Sequence, residues 1–142
     1  MGLLDIFKIF KHRKAKSQDG GLVAEDAERY NRMWDRWAEG KIGSPLAELM
    51  TYQAEVNNGG HDQFFHNMNV RGVLQKTLAE LNKILPANHK RNLKLAYDTY
   101  KKYGDDYEKS EPILDKCDDF LYENEESINQ ILENFSKNKI IL

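Results

Sequence analysis

The sequence predicts an all-α, compact bundle of about six to seven helices with a tight Gly-Gly corner, and three observations carry that prediction. Apolar residues recur every three to four positions along most of the chain, no stretch alternates with a period of two, and only three prolines interrupt 142 residues. Hydrophobic residues make up 40% of the chain against 31% charged, which supplies an interior and argues against disorder across the whole length.

The elements follow in order. In residues 1–21, Leu3, Ile6, Phe7 and Phe10 share one helical face, with Asp5, Lys8 and Lys11 off it. A basic stretch through His12, Arg13, Lys14 and Lys16 leads into a Ser17–Gly21 linker. Such an appended segment frays, or docks on the domain, on a partner or on an anionic membrane surface. Charges interrupt its apolar run, so no secretory signal is expected, and Ile6 stands where a myristoylation signal needs Ser or Thr.

The helical domain is expected over residues 22–142. Val23, Ala27, Tyr30, Trp34 and Trp37 form its first apolar stripe, stopped by Gly40. Ser44 and Pro45 match an N-cap and a first-turn proline, opening a helix through Leu46, Leu49, Met50 and Val56 that ends at Asn57–Gly60. Val70, Val73, Leu74, Thr77, Leu78, Leu81, Ile84 and Leu85 make a broad stripe closed by Pro86. Asn88 is placed to cap a helix burying Leu93, Ala96, Tyr97, Tyr100 and Tyr103 and stopping at Gly104. An acidic loop leads to Pro112 and a short helix with Ile113, Leu114, Cys117, Phe120 and Leu121. Asn124, Glu125 and Glu126 suit the start of a last helix, because acids favour the positive end of the dipole. Its inner face is Ile128, Ile131, Leu132 and Phe135.

Little of this supports catalysis. The lone Cys117 cannot form an internal disulfide, which points to a reducing, cytoplasmic setting, and no apolar run reaches the length of a membrane span. Cys117 sits among acids, which disfavours a reactive thiolate. His61 and His66, with Asp62 nearby, invite a metal site, but five helical steps turn the two rings about 140° apart. No further His or Cys pair completes a tetrahedral set. The glycine pairs lack the spacing and following Lys of a phosphate loop. A non-enzymatic protein without metal or cofactor is expected; the alternative is a small metal-dependent or hydrolytic enzyme centred on residues 57–67.

The stretch from Glu55 to Asn67 stands apart. Paired glycines allow the chain to reverse without a clashing Cβ, flanking Asn and Gln side chains can satisfy the freed backbone groups, and Phe64 and Phe65 can pin the corner to the core. Asn58, Gly59, Gly60, Gln63, Phe64, Phe65 and Asn67, with Glu55 before them, resemble the signature of a bacterial family of unknown function named after DNA mimic protein nineteen. That signature runs Asn-Gly-Gly, an aromatic, Gln-Phe-Phe and a nearby Asn; His61 departs from the aromatic. Leu114–Tyr122 is similar to the family's C-terminal element. The resemblance covers residues 24 to 136 and implies a helical scaffold on which the motif is structural.

Charge is unevenly placed. From Asp105 to Glu133 there are eleven acids and two lysines, a net −9 in a chain whose total is −2. Asp105, Asp106, Glu108, Glu111, Asp115, Asp118, Asp119, Glu123, Glu125 and Glu126 could furnish a partner-binding face, with carboxylates standing where phosphates would lie. The expected partner is then a protein, in the DNA-mimic reading a basic DNA-binding protein, without direct nucleic-acid binding; a homodimer is compatible with the same composition. The competing reading is a solvated edge neutralised by the chain's own Lys and Arg.

Overall fold

The computed structural model describes residues 24–138, so the expectations for the 1–21 segment and for a domain starting at residue 22 lie outside the described residues. Six helices fill the described residues: α1 (Ala24–Ala38), α2 (Leu46–Val70), α3 (Leu74–Ile84), α4 (Ala87–Tyr103), α5 (Tyr107–Glu123) and α6 (Glu125–Asn138). No strand forms among them, in keeping with the missing period-two pattern.

Helix α2 is the central element. It packs against α3, α4 and α5, while α4 and α5 form the most extensive pair and α1 lies on α6. Its apolar residues Leu49, Met50, Tyr52, Val56, Phe64 and Phe65 are wholly buried. Trp34 and Trp37 of α1 meet edge to face at 5.2 Å. The Trp37 indole N–H donates to Thr51 Oγ1 at 2.9 Å, which ties α1 to α2.

Local signals misplace several boundaries. Gly72 adopts a φ of 72° and turns the chain between Met68 and Leu74, so Val70 belongs to α2 and stands 72% exposed instead of joining the next stripe. Ser44 does not cap: Pro45 holds the N-cap position, and the Ser44 hydroxyl donates to the Glu48 carboxylate. Asn88 likewise lies inside the first turn of α4, after Pro86. Pro112 sits within α5 instead of at its start, where its missing N–H leaves the Glu108 carbonyl without its helical bond. The buried face of α4 is rotated from the expected one, with His89, Asn92, Leu93, Ala96 and Thr99 inside and the three tyrosines at its margin. Polar residues can take that face because they find partners: Asn92 donates to the Cys117 carbonyl, and Thr99 to the Leu95 carbonyl.

Candidate functional site

The Gly-Gly corner divides α2 into two arms. Gly59 has φ −154° and ψ 18°, Gly60 has φ 80° and ψ 179°, and helical geometry resumes after them. Gly60 occupies a region that only glycine enters without strain. A Cβ there would also collide with Asp118 Oδ2, so the absent side chain is what lets α5 approach.

That approach satisfies the backbone the corner frees. The His61 N–H, which opens the second arm, donates to Asp118 Oδ1 at 2.8 Å, so a carboxylate from another helix caps the positive end of the arm. The same oxygen lies 2.6 Å from His61 Nδ1, while His61 Nε2 is 2.6 Å from the Tyr52 hydroxyl. In the neutral ring this arrangement puts the proton on Nδ1 and leaves Nε2 to accept from Tyr52. On the first arm, the Val56 carbonyl accepts from the Tyr122 hydroxyl of α5 at 2.9 Å.

A second carboxylate braces the two arms against each other. Glu55 is only 3% exposed, and its Oε2 accepts from the side-chain amides of Gln63 and Asn67, each at 2.9 Å. Asn58 donates to Gln63 Oε1 at 3.3 Å, which orients that amide. A third carboxylate extends the network to α6: Glu125 Oε2 accepts from Gln53 Nε2 and Asn57 Nδ2, both at 2.8 Å. Gln53 Nε2 also donates to Asn129 Oδ1. Beneath the network Phe64 and Phe65 are fully buried, with Phe65 packed on Tyr97 and Tyr100 at 5.6 and 5.0 Å.

Asp118, His61 and Tyr52 have the order of a proton relay, yet the chain of hydrogen bonds ends in the core. Tyr52 is fully buried against the edge of Phe64, and burial, with Cys117 and Asp118 close by, raises its phenol well above the usual range. The hydroxyl therefore keeps its proton and meets no solvent-borne substrate. Its work here is to hold a corner. His66 is exposed and His61 buried, and among the described residues no three His, Cys, Asp or Glu side chains converge as metal ligands.

The model of the DMP19-like protein family matches residues 44–139. The chain belongs to the DMP19-like family. This is the family that the Asn-Gly-Gly motif resembles, and the match covers both arms of the corner and all three helices that brace it. Helix α1 precedes the matched span, which therefore starts later than residue 24. No curated protein and no solved structure matches the chain.

The ten acidic residues singled out in the sequence divide in two. Asp105, Asp106, Glu108, Glu111, Asp115, Asp119, Glu123 and Glu126 are exposed. Asp118 and Glu125 turn inward and belong to the corner network instead of the outer face. Sequence reasoning missed Tyr52, Gln53, Tyr122 and Asn129 as members of that network. The available signal was their position: each lies about one helical turn or less from a motif residue or from an inward-facing acid.

Proposed function

We propose that this DMP19-like protein is a non-enzymatic, DNA-mimic-like binding module whose acidic outer face engages a basic DNA-binding protein. The observation that carries the reading is the stripe on α5. Glu108, Glu111, Asp115, Asp119 and Glu123 are exposed at helical spacings of three and four, opposite the buried Ser110, Leu114, Cys117 and Leu121.

Over that stretch α5 rises about 22 Å, so successive carboxylates stand roughly 5–6 Å apart along the axis, against about 3.4 Å for the phosphates of one DNA strand. The stripe thus carries a little over half the linear charge of a strand. Neutralisation by the chain's own lysines and arginines is slight: among the described residues, the Lys or Arg ion pair that reaches this acidic segment is Lys109 with Asp106, at a loose 3.9 Å. On neighbouring α4, Lys94 and Lys101 pair along their own helix with Asp98.

The test uses the immobilised full chain to capture proteins from the source cytosol at low and high salt, with duplex DNA added as competitor. Wild type should retain a DNA-binding protein that both salt and DNA release. Charge reversal at Glu108, Asp115 and Asp119 to Lys should abolish that capture while leaving the helical circular dichroism unchanged. Capture that survives the reversal, or that DNA does not compete, refutes the reading.

A further inference from the structure

Between the corner and the first turns of α5 lies a cavity of about 410 Å³. Its wall includes Asp62 from the second arm of α2 and Glu111, Asp115 and Asp118 from α5, and it contains no Lys or Arg. Asp118 spends one oxygen on His61, and its Oδ2 accepts no hydrogen bond from a described residue. The negative potential of the region registers on a neighbour: the Tyr100 phenol is raised by burial first, and then by the charges of Asp62 and Asp105.

Two further side chains point to an occupant. Ser110 lines the same cavity and is 3% exposed, yet its hydroxyl has no hydrogen-bond partner among the described residues. The hydroxyl is left open to the cavity, where an occupant can supply its missing bond. Tyr107, also in the wall, is 58% exposed, so its ring is free to lie against a cation.

We propose that this cavity receives the guanidinium of an arginine side chain from the basic partner, an assignment that rests on the protein-binding reading above. A planar fork of five N–H groups can reach several separated carboxylates and a hydroxyl at once, and it stacks on an aromatic ring. A single metal ion needs its ligands gathered around one point, and among the described residues no such group forms. An ammonium offers three donors at one point and no plane to stack.

Ethylguanidinium is the probe, titrated into isotopically labelled full-length protein and followed by amide chemical shifts. Shifts should saturate at Gly59, Asp62, Tyr107, Ser110, Glu111 and Asp115. Ethylammonium should bind at least fivefold more weakly, and calcium should leave these amides unmoved. Ser110→Ala, which alters no charge, should weaken ethylguanidinium about tenfold, the loss of one hydrogen bond to a charged group. Glu111→Gln with Asp115→Asn should weaken it further, whereas Glu25→Gln with Glu39→Gln should change it less than twofold.

Equal affinity for ethylammonium, stronger shifts with calcium, shifts scattered over the whole acidic face, or indifference to Ser110→Ala each overturn the assignment. If the cavity amides stay unmoved while charge reversal still abolishes capture, the pocket fails alone. If ethylguanidinium saturates the cavity while capture survives charge reversal, the pocket stands and the wider reading falls.

Discussion

Replacing Gly60 by alanine sets two separable costs against each other. With φ at 80° and ψ at 179°, the backbone strain on a residue bearing a Cβ is about 1–3 kcal/mol. The new methyl would also collide with Asp118 Oδ2, which forces the carboxylate away from His61. Asp118 then loses its bonds to the His61 N–H and ring, worth about 2–3 kcal/mol together. The sum is about 3–6 kcal/mol, a large share of the stability of a domain this size. Urea unfolding followed by the fluorescence of buried Trp34 and Trp37 reads it directly. With a slope of about 2 kcal/mol per molar urea, the midpoint should fall by roughly 1.5–3 M. In an Asp118→Ala background the collision is gone, and Gly60→Ala should cost only the strain, about 1–3 kcal/mol. Gly59→Ala gives the contrast: its φ is negative, and its methyl meets the amide end of the Gln63 side chain, which can swing aside, and more loosely the Gln63 Cβ. It should cost about 1–2 kcal/mol, the loss of the Gln63 bond to Glu55. A Gly60→Ala midpoint shift below about 0.5 M, or an equal decrement with and without Asp118, would refute the role given to the close approach.

Phe65→Ala should cost about 3–5 kcal/mol, because a fully buried ring leaves a cavity among Phe64, Tyr97 and Tyr100; calorimetry of wild type and variant measures it. Stability should fall on acidification. Burial holds the His89 imidazole below its usual range, against the opposing effect of its bond to the Asn124 carbonyl. As pH drops through about 6.5 the unfolded ring takes its proton first, so the stability present above that value is lost toward the lower folded pKa. Urea titrations at neutral and acidic pH check the trend, and an NMR titration midpoint for His89 at or above the ordinary histidine value would contradict it. Cys117 should resist alkylation in the folded protein and label readily in guanidinium. Its thiol is buried and pushed up to about 11 by burial and then by the charge of Asp118. Rapid labelling of the native state would count against that placement.

The helical architecture was legible because its signals are short-range. The Trp34 and Trp37 stripe, the apolar run from Leu74 to Leu85 and the punctuation at Gly40 and Gly104 all report on residues within a turn or two. The corner was legible as a corner for the same reason, since Gly59 and Gly60 open backbone conformations, positive φ among them, that interrupt a helix. What the sequence did not disclose is who completes it. Asp118 and Glu125 look like members of an acidic run, and only the packing of α5 and α6 on α2 turns them inward. His61 looked like an exception to its own motif. It is the residue through which Asp118 reaches Tyr52. Helical phase alone also cannot tell that His89 and Asn92 would find carbonyls to bond, which is why the face of α4 was placed a step away.

The distances along the chain that the corner spans set an order on its assembly. Its glycines lie at 59 and 60, but the groups that complete it come from residues 118, 122, 125 and 129. During synthesis, at about 5–20 residues per second, the motif emerges several seconds before the last of these partners. For that interval a bent helix must hold a buried carboxylate, Glu55, with only local amides for company, and an open corner that lacks its Asp118 and Tyr122 braces. The N-terminal half is therefore not a folding unit in its own right. A nascent chain halted at Tyr103 should remain protease-sensitive throughout α2, and protection should arrive abruptly once α5 and α6 have cleared the ribosome.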